Sequence, residues 1–292
     1  MRYDVRLSII YEYPRAAETG RHLLCLTPPN LPGEQTVIAS RLKIDPRPDE
    51  RLERRDFFQN PIAEVAFYEP LERSEFLMLA RIERHVRLKP QDVSPPLERF
   101  EAEIAGYASV EPEAPHHFLA PSPRAPADPL IAQWAADLAA GKNSVYEIAV
   151  AIGEAIYEQM AYDPEATNVD TPASVAFEAK RGVCQDFSHI MIVALRSLRI
   201  PAAYVSGFLR TIPPEGAERL EGADAMHAWV RIWCGREMGW VEYDPTNALN
   251  VGTDHIVIAR GRDYDDVAPV RGVMRMAGEQ RTEQGVDVIP LD

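Results

Sequence analysis

The sequence predicts an α+β fold in which an antiparallel β domain precedes a core of helices and strands. Three observations predict it: apolar residues alternate with a period of two through residue 90, prolines concentrate just after it, and a helical period appears only beyond residue 129. A chain of 292 residues is long enough for one large core or two smaller ones. We therefore predict an N-terminal antiparallel β domain at 1–90, a Pro-rich linker at 91–129 and a core at 130–292.

The N-terminal region carries the alternation that is typical of strands packed on one face and hydrated on the other. No group of chemically reactive residues clusters in it, so we expect a scaffold or a docking surface. The alternating apolar positions are Tyr3, Val5, Leu7, Ile9 and Tyr11, and then Phe76, Met78, Ala80, Ile82, Val86 and Leu88.

The linker holds nine of the 25 prolines between Pro90 and Pro129, a density that excludes long helices and central strands. We expect it to wrap over the surface. His116 and His117 are adjacent within it, but no acidic or cysteine partner lies at a metal-ligand spacing from them. The sequence favours a solvated loop for this pair.

Helical periodicity begins after the linker. Apolar residues from Ile131 to Leu138 predict one helix, and Ser144 is placed to cap a second with Glu147 three residues later. That second helix should end before Asp163-Pro164, and a short helix over 172–180 should follow Thr171.

The segment GVCQDFSHIMIVALRSLRIP predicts a helix that buries one stripe and ends before Pro201. Cys184 falls in its first turn, where the partial positive charge of free N–H groups favours a thiolate. Taken alone, such a cysteine is more often a small apolar core residue. The stripe residues are Phe187, Met191, Ala194, Leu195 and Leu198.

Two strand-like runs follow, MHAWVRIWC and MGWVEYDPTN, with a turn between Gly235 and Gly239. In an antiparallel hairpin the start of one strand lies beside the end of the other, so His227 and Asp244 should be neighbours. A thiol, an imidazole and a carboxylate are the parts of a thiol nucleophile system, in which the carboxylate orients the base. Individually, His227 could be a strand-end histidine and Asp244 an ordinary turn residue.

The blocks GVCQDFSHIMIVALRSLRIPAAYVSGF, MHAWVRIW and GWVEYDPTN resemble the three motif blocks of the transglutaminase-like superfamily. RGRDYDDVAPVRGV resembles the closing segment of its bacterial branch, and RRDFFQNPIAEVAFYEP resembles that branch's N-terminal β domain, where a glycine is common at the position of Phe58 or Gln59. The resemblance implies a papain-like core with a nucleophile-bearing helix packed on an antiparallel sheet. It also implies Cys184 as nucleophile, His227 as base and Asp244 as orienting carboxylate.

The polar neighbours of Cys184 are expected to be mainly structural. Asp186 should complement the helix dipole, Ser188 lies one turn from Cys184 and could line the cleft, and His189 faces elsewhere. We expect Cys25 and Cys234 to be buried thiols, and Trp229, Trp233 and Trp240 to be core residues more often than stacking platforms.

No metal or cofactor is predicted. Cys184, His189, His227 and Cys234 lack zinc-ligand spacing, and no EF-hand-like run implies calcium. The loop over 213–224 should be a solvent-exposed connection, with a lid as the alternative. The N–H of Cys184 is the first candidate for an oxyanion donor, and the sequence leaves the second open.

Charge and cysteine content limit the partners. The net charge of −14 disfavours nucleic acid and anionic membranes, and no apolar run is long enough for a membrane span. The start alternates instead of resembling a signal peptide, and three cysteines cannot form a disulfide framework, so we expect a cytoplasmic protein.

Together these features predict cysteine-dependent acyl transfer on peptide or protein amide bonds through a thioester at Cys184. Water is favoured over an amine as acceptor, which predicts a peptidase or amidase before a transglutaminase. The alternative is a non-catalytic protein-binding module that retains the fold. Oligomeric state is left open.

Overall fold

A computed structural model of the chain describes residues 1–86, 91–211, 224–275 and 280–291. These residues form two four-stranded antiparallel sheets, one five-stranded antiparallel sheet and a small parallel pair of strands, together with six α-helices. The predicted α+β class is confirmed.

The elements are bounded as follows. The strands are β1 (Arg2–Ala17), β2 (Thr19–Leu24), β3 (Gln35–Asp45), β4 (Glu50–Arg55), β5 (Pro61–Phe67), β6 (Leu71–Arg84), β7 (Ala161–Tyr162), β8 (Arg181–Gly182), β9 (Ala202–Leu209), β10 (Ala225–Trp233), β11 (Trp240–Asp244), β12 (Leu249–Asn250), β13 (His255–Gly261), β14 (Val270–Arg275) and β15 (Arg281–Pro290). The helices are α1 (Leu97–Ala105), α2 (Pro129–Ala139), α3 (Val145–Gln159), α4 (Ala173–Ala179), α5 (Cys184–Ser197) and α6 (Tyr264–Val267).

The last two strands of the chain belong to the two N-terminal sheets. Their strand orders are β15-β1-β6-β3 and β14-β2-β5-β4. The predicted boundary of a core at 130–292 is therefore wrong at its C-terminal end, since β14 and β15 belong to the N-terminal sheets. The cause is apolar burial: Val286 and Val288 pair with Leu7 and Val5 of β1, and all four are almost completely buried.

The Pro-rich segment contains more regular structure than predicted. Helix α1 begins directly after Pro95-Pro96, where the rings precede the first helical hydrogen bond and so do not interrupt it. Its Phe100 is buried against Trp233, with ring centroids 5.3 Å apart. His116 and His117 lie in a single 3-10 turn, where His117 Nε2 is 3.2 Å from the carbonyl oxygen of Val110.

Helix α5 lies at the centre of the core. It packs on β9 and β10 of the five-stranded sheet, whose order is β12-β11-β10-β9-β13, and on α2, α3 and α4 at its other side. Every residue from Asp186 to Arg196 is buried, so the predicted single stripe is wrong: the helix is covered by sheet and helices all round. Arg196 is accommodated because its guanidinium donates to the carbonyl oxygens of Phe118 and Ala202.

The other helix limits follow the predicted signals closely. Ser144 accepts a hydrogen bond from the backbone N–H of Glu147 at 3.1 Å, which caps α3 as predicted. Helices α2 and α4 occupy the predicted ranges to within a few residues. None of the helices in the described ranges is long and apolar enough to span a bilayer.

The N-terminal sheets brace β13 of the core. The Gln35 side chain accepts from the N–H of Val257 at 3.0 Å and donates to its carbonyl oxygen at 2.9 Å. Asn60 makes the same pair of contacts with the backbone of Arg260, at 2.9 and 2.8 Å. Two buried amides thus replace a missing strand partner along β13, which fixes this edge of the core sheet against the β domain.

Candidate active site

Cys184 is the first residue of α5 and is half-buried. Its position is set by the Asp186 carboxylate, which accepts from the N–H of Val183 at 2.8 Å and from the Thr167 hydroxyl at 2.6 Å. A Cβ on Gly182 would lie 2.6 Å from that carboxylate, so only glycine fits there. Asp186 is therefore a structural residue that holds the chain at the start of α5 and fixes where the thiol lies.

His227 lies near the start of β10 and is buried, at 9% exposure. Its Nε2 is 2.7 Å from Oδ2 of Asp244, and Cys184 lies close enough to the ring to raise its pKa. Because Nε2 is taken by the carboxylate, Nδ1 is the ring nitrogen left for the sulfur. Burial alone lowers the pKa of His227, but the neighbouring Asp244 carboxylate and Cys184 outweigh it and raise the pKa to about 10. The carboxylate and the thiol therefore favour the protonated form of the ring.

Asp244 ends β11 and is completely buried. Its Oδ1 accepts from the N–H of Thr246 at 2.9 Å, and its Oδ2 accepts from the Asn247 amide at 2.7 Å. Burial alone raises the pKa of Asp244, but hydrogen bonds to His227 and His255 hold it well below its usual value. The carboxylate is therefore ionised and oriented by the turn that follows it.

The structure brings together the three residues that the sequence analysis selected. Strands β10 and β11 form the expected hairpin, in which Trp233 pairs with Trp240 and Val230 with Tyr243. That register places the start of β10 beside the end of β11. Helix α5 packs on β9 and β10, and its first residue, Cys184, lies close enough to His227 to affect the pKa of that ring.

Sequence reasoning missed His255, the first residue of β13. Its Nε2 is 3.1 Å from the same Oδ2 of Asp244, and only 3% of the residue is exposed. The available signal was a histidine opening an apolar strand, as His227 opens β10. Periodicity could not show that β13 pairs with β9 and so starts at the same end of the sheet.

The other polar neighbours of Cys184 either bond to groups other than the thiol or are completely buried. His189 Nε2 accepts from the N–H of Tyr264 at 3.2 Å, and burial lowers the pKa of His189 to about 4. Ser188 is completely buried, so it does not line an open cleft.

The two other thiols and two of the three tryptophans lie in the core. Burial raises the pKa of Cys25 to about 12 and raises that of Cys234 well above its usual value. Trp229 and Trp233 are core residues, and Trp240 is partly exposed, with its indole N–H donating to the carbonyl oxygen of Glu113 at 3.0 Å.

One group in the described ranges has the composition of a metal site. The ligand atoms of His227, Asp244 and His255 all lie within 4.8 Å of one another. Their closest separations, 2.7 and 3.1 Å, are hydrogen-bond distances, and Oδ2 of Asp244 also accepts from Asn247. A zinc ion needs unprotonated donors at about 2.0–2.2 Å. These three residues are therefore better described as a hydrogen-bonded group than as a set of metal ligands.

The predicted connection over 213–224 lies outside the described residues except for Asp224, whose carboxylate accepts from the N–H groups of Thr211 and Val288, both at 2.6 Å.

An oxyanion formed near the sulfur would meet the N–H of Cys184, since first-turn N–H groups have no acceptor within their helix.

Comparisons with known proteins agree with this architecture. The transglutaminase-like superfamily core matches residues 132–245, and the bacterial transglutaminase-like N-terminal region matches residues 3–83. An uncharacterized protein from Mycobacterium tuberculosis is 32% identical over 303 residues, covering 100% of this chain and 93% of that protein. An uncharacterized protein from Mycobacterium leprae is 38% identical over 136 residues, 46% of each chain.

A crystal structure from Cytophaga hutchinsonii, described as that of a candidate cysteine protease, aligns with a TM-score of 0.78. The alignment covers 100% of this chain and 91% of that one at 21% identity. At this identity the likeness shows the fold, a transglutaminase-like core preceded by β structure.

Proposed function

The chain belongs to the transglutaminase-like superfamily, and from this membership and its site geometry we propose that it is a cysteine-dependent enzyme acting on amide bonds. One observation carries the proposal: the buried His227 ring lies between the Asp244 carboxylate, 2.7 Å from Nε2, and the Cys184 thiol. A base held by an ionised carboxylate beside a thiol at a helix N-terminus is the arrangement that activates a sulfur nucleophile.

In the proposed first step, Nδ1 of His227 holds the thiol proton and Sγ of Cys184 attacks the amide carbonyl carbon. The carbonyl oxygen becomes an oxyanion that the N–H of Cys184 can stabilise. When the C–N bond breaks, His227 passes the proton that it took from the thiol to the leaving amine, and a thioester remains on Cys184. Asp244 stays ionised throughout and keeps the ring oriented.

In the second step, water attacks the thioester carbon while His227 takes one of its protons. The C–S bond breaks, the acyl group leaves as a carboxylic acid, and the proton returns to the sulfur. An amine in place of water would give a new amide and the same free thiol. We propose water as the main acceptor, because both acceptors need the same groups and water is always abundant.

The proposed substrate is a peptide or protein amide, and the reaction requires no cofactor. Cytoplasmic location is part of the proposal and rests on cysteine use: all three thiols are free, two of them deep in the core, as expected in a reducing compartment.

The test is a peptide library incubated with the wild-type protein, with and without an added primary amine, and analysed by mass spectrometry. We expect hydrolysed peptides, a smaller fraction of amine adducts, and loss of both with Cys184→Ala. Cys25→Ala is the matched control, because it removes a buried thiol that has no role in the proposed reaction and should retain turnover.

Two outcomes would contradict the proposal. Turnover that persists in Cys184→Ala would exclude the thioester. Library peptides that bind the folded wild-type protein without being cleaved or aminated would support a non-catalytic binding module instead.

A further inference from the structure

Asp244 receives more hydrogen bonds than one catalytic imidazole requires. Its carboxylate accepts from the Thr246 N–H and from three donors on the single atom Oδ2: the Asn247 amide, His227 and His255. An ionised carboxylate offers about four lone-pair sites, two on each oxygen, so the three donors leave no free lone pair on Oδ2. Two imidazoles on one carboxylate oxygen make His255 a direct partner of the group that orients His227.

The strand pairing fixes His255 independently of the other site residues. His255 pairs with Leu209 of β9, while His227 pairs with Gly207 of the same strand. A Cβ on Gly207 would lie 2.4 Å from the Trp229 ring, so the glycine makes room for that indole. The Trp229 ring centroid lies 5.2 Å from that of His255 and 6.1 Å from that of His227. The indole thus packs against both imidazoles.

The second nitrogen of His255 sets its tautomer. The N–H of Gly252 points to Nδ1 at 3.4 Å, so Nδ1 acts as an acceptor and the ring proton lies on Nε2. His255 therefore donates Nε2–H to Oδ2 of Asp244. The titratable groups around the pair come from each packed element: Cys184 from α5, Asp244 from β11 and His255 from β13.

We infer that His255 is a positioning residue: its Nε2–H holds the Asp244 carboxylate in the plane and direction in which Oδ2 faces Nε2 of His227. The inference rests on the proposed function. It predicts that His255 affects the reactivity of Cys184 only through Asp244 and His227. It also predicts that this effect depends on the N–H donor at the position of Nε2.

Two amide substitutions separate donor geometry from polarity and size. In His255→Gln the side-chain amide reaches about as far as Nε2 and can donate to Oδ2 of Asp244. In His255→Asn the amide is one methylene shorter and reaches only the position of Nδ1, where it can still accept from the N–H of Gly252. His255→Leu removes the donor altogether and serves as a third variant.

The readout is the pH profile of Cys184 alkylation by iodoacetamide, located by peptide mass spectrometry, because it needs no substrate. We expect His255→Asn to lower the rate near pH 6 by about tenfold and to displace the profile towards higher pH, as loss of an outer hydrogen-bond partner commonly does. His255→Gln should keep the wild-type profile to within about threefold, since the donor is retained. Thermal unfolding and circular dichroism establish that each variant is folded.

If the role of His255 is purely structural, His255→Asn should have a lower unfolding temperature but the same pH profile of Cys184 alkylation as the wild type. That result, or equal losses in the Gln and Asn variants, would overturn the inference. Failure of the proposed function gives a different result: no amide turnover by the wild type, with an alkylation profile that still depends on the residue at 255.

Discussion

His189 should make the fold sensitive to acid, although it lies only one turn and a half from Cys184 on α5. The residue is 2% exposed, its Nε2 accepts from the N–H of Tyr264 at 3.2 Å, and its ring packs on Tyr204 with centroids 5.0 Å apart. Burial lowers the pKa of His189 from 6.5 to about 4. A proton on this ring would cost both desolvation and the hydrogen bond to Tyr264.

The direction and size of this pH effect on the free energy of unfolding follow from the difference in pKa between the folded and unfolded states. Below about pH 6.5 the unfolded chain binds a proton at this site, whereas the folded chain binds it only below about pH 4. The stability contributed by the neutral ring is therefore complete above pH 6.5 and is lost as the pH falls through that window. A displacement of about 2.5 pKa units at 1.36 kcal/mol per unit gives a loss on the order of 3 kcal/mol.

The perturbation that isolates this effect is His189→Gln. The glutamine carbonyl oxygen can accept from the N–H of Tyr264, and the amide does not titrate. Urea unfolding at intervals between pH 8 and pH 4 gives the free energy of unfolding of both proteins. We expect the wild type to lose about 3 kcal/mol more than the variant across this range, with the difference arising below pH 6.5. Parallel curves for the two proteins would refute the argument.

Three further predictions concern the site and the backbone. Asp244→Asn should slow Cys184 alkylation at pH 7 by about tenfold without unfolding the protein, because a neutral amide no longer stabilises a protonated His227 ring; an unchanged rate would contradict the role of the carboxylate. Gln59→Gly should raise the free energy of unfolding by about 0.5–1 kcal/mol, since Gln59 is exposed and has a left-handed φ of 68°. Gln59→Ala keeps the Cβ strain and should show no gain. Ser144→Ala should lower the free energy of unfolding by about 1 kcal/mol through loss of the α3 cap, while Ser144→Thr should retain most of it; chemical denaturation checks both pairs.

Local patterns predicted the parts of the site that local rules govern. The separation of His227 from Asp244 equals two short strands and a turn, so a hairpin was enough to pair them. The start of α5 was visible because a glycine precedes an apolar helix whose first turn contains an acidic residue, Asp186. The left-handed φ of Gln59 also suits the glycine that the family resemblance implies at the position of Phe58 or Gln59.

Contacts between distant segments could not be predicted in the same way. His255 meets Asp244 because β13 pairs with β9, and neither strand's own pattern encodes its partner. The addition of β14 and β15 to the N-terminal sheets joins residues more than 200 positions apart, as in the pairing of Leu7 with Val286. Helix α5 looked like a one-sided helix because Asp186, His189 and Arg196 interrupt its apolar residues, yet each of them is buried with a hydrogen-bond partner.

The most direct measurement of the central claim is the rate of iodoacetamide alkylation at each cysteine at pH 6, compared with glutathione and with His227→Gln. Cys184 should react at least about tenfold faster than glutathione, because the His227 ring is placed to take its proton, and the His227→Gln variant should lose that advantage. Cys25 and Cys234 should stay unmodified while the protein is folded. A Cys184 rate at or below that of glutathione, unchanged by His227→Gln, would contradict a sulfur activated by this imidazole.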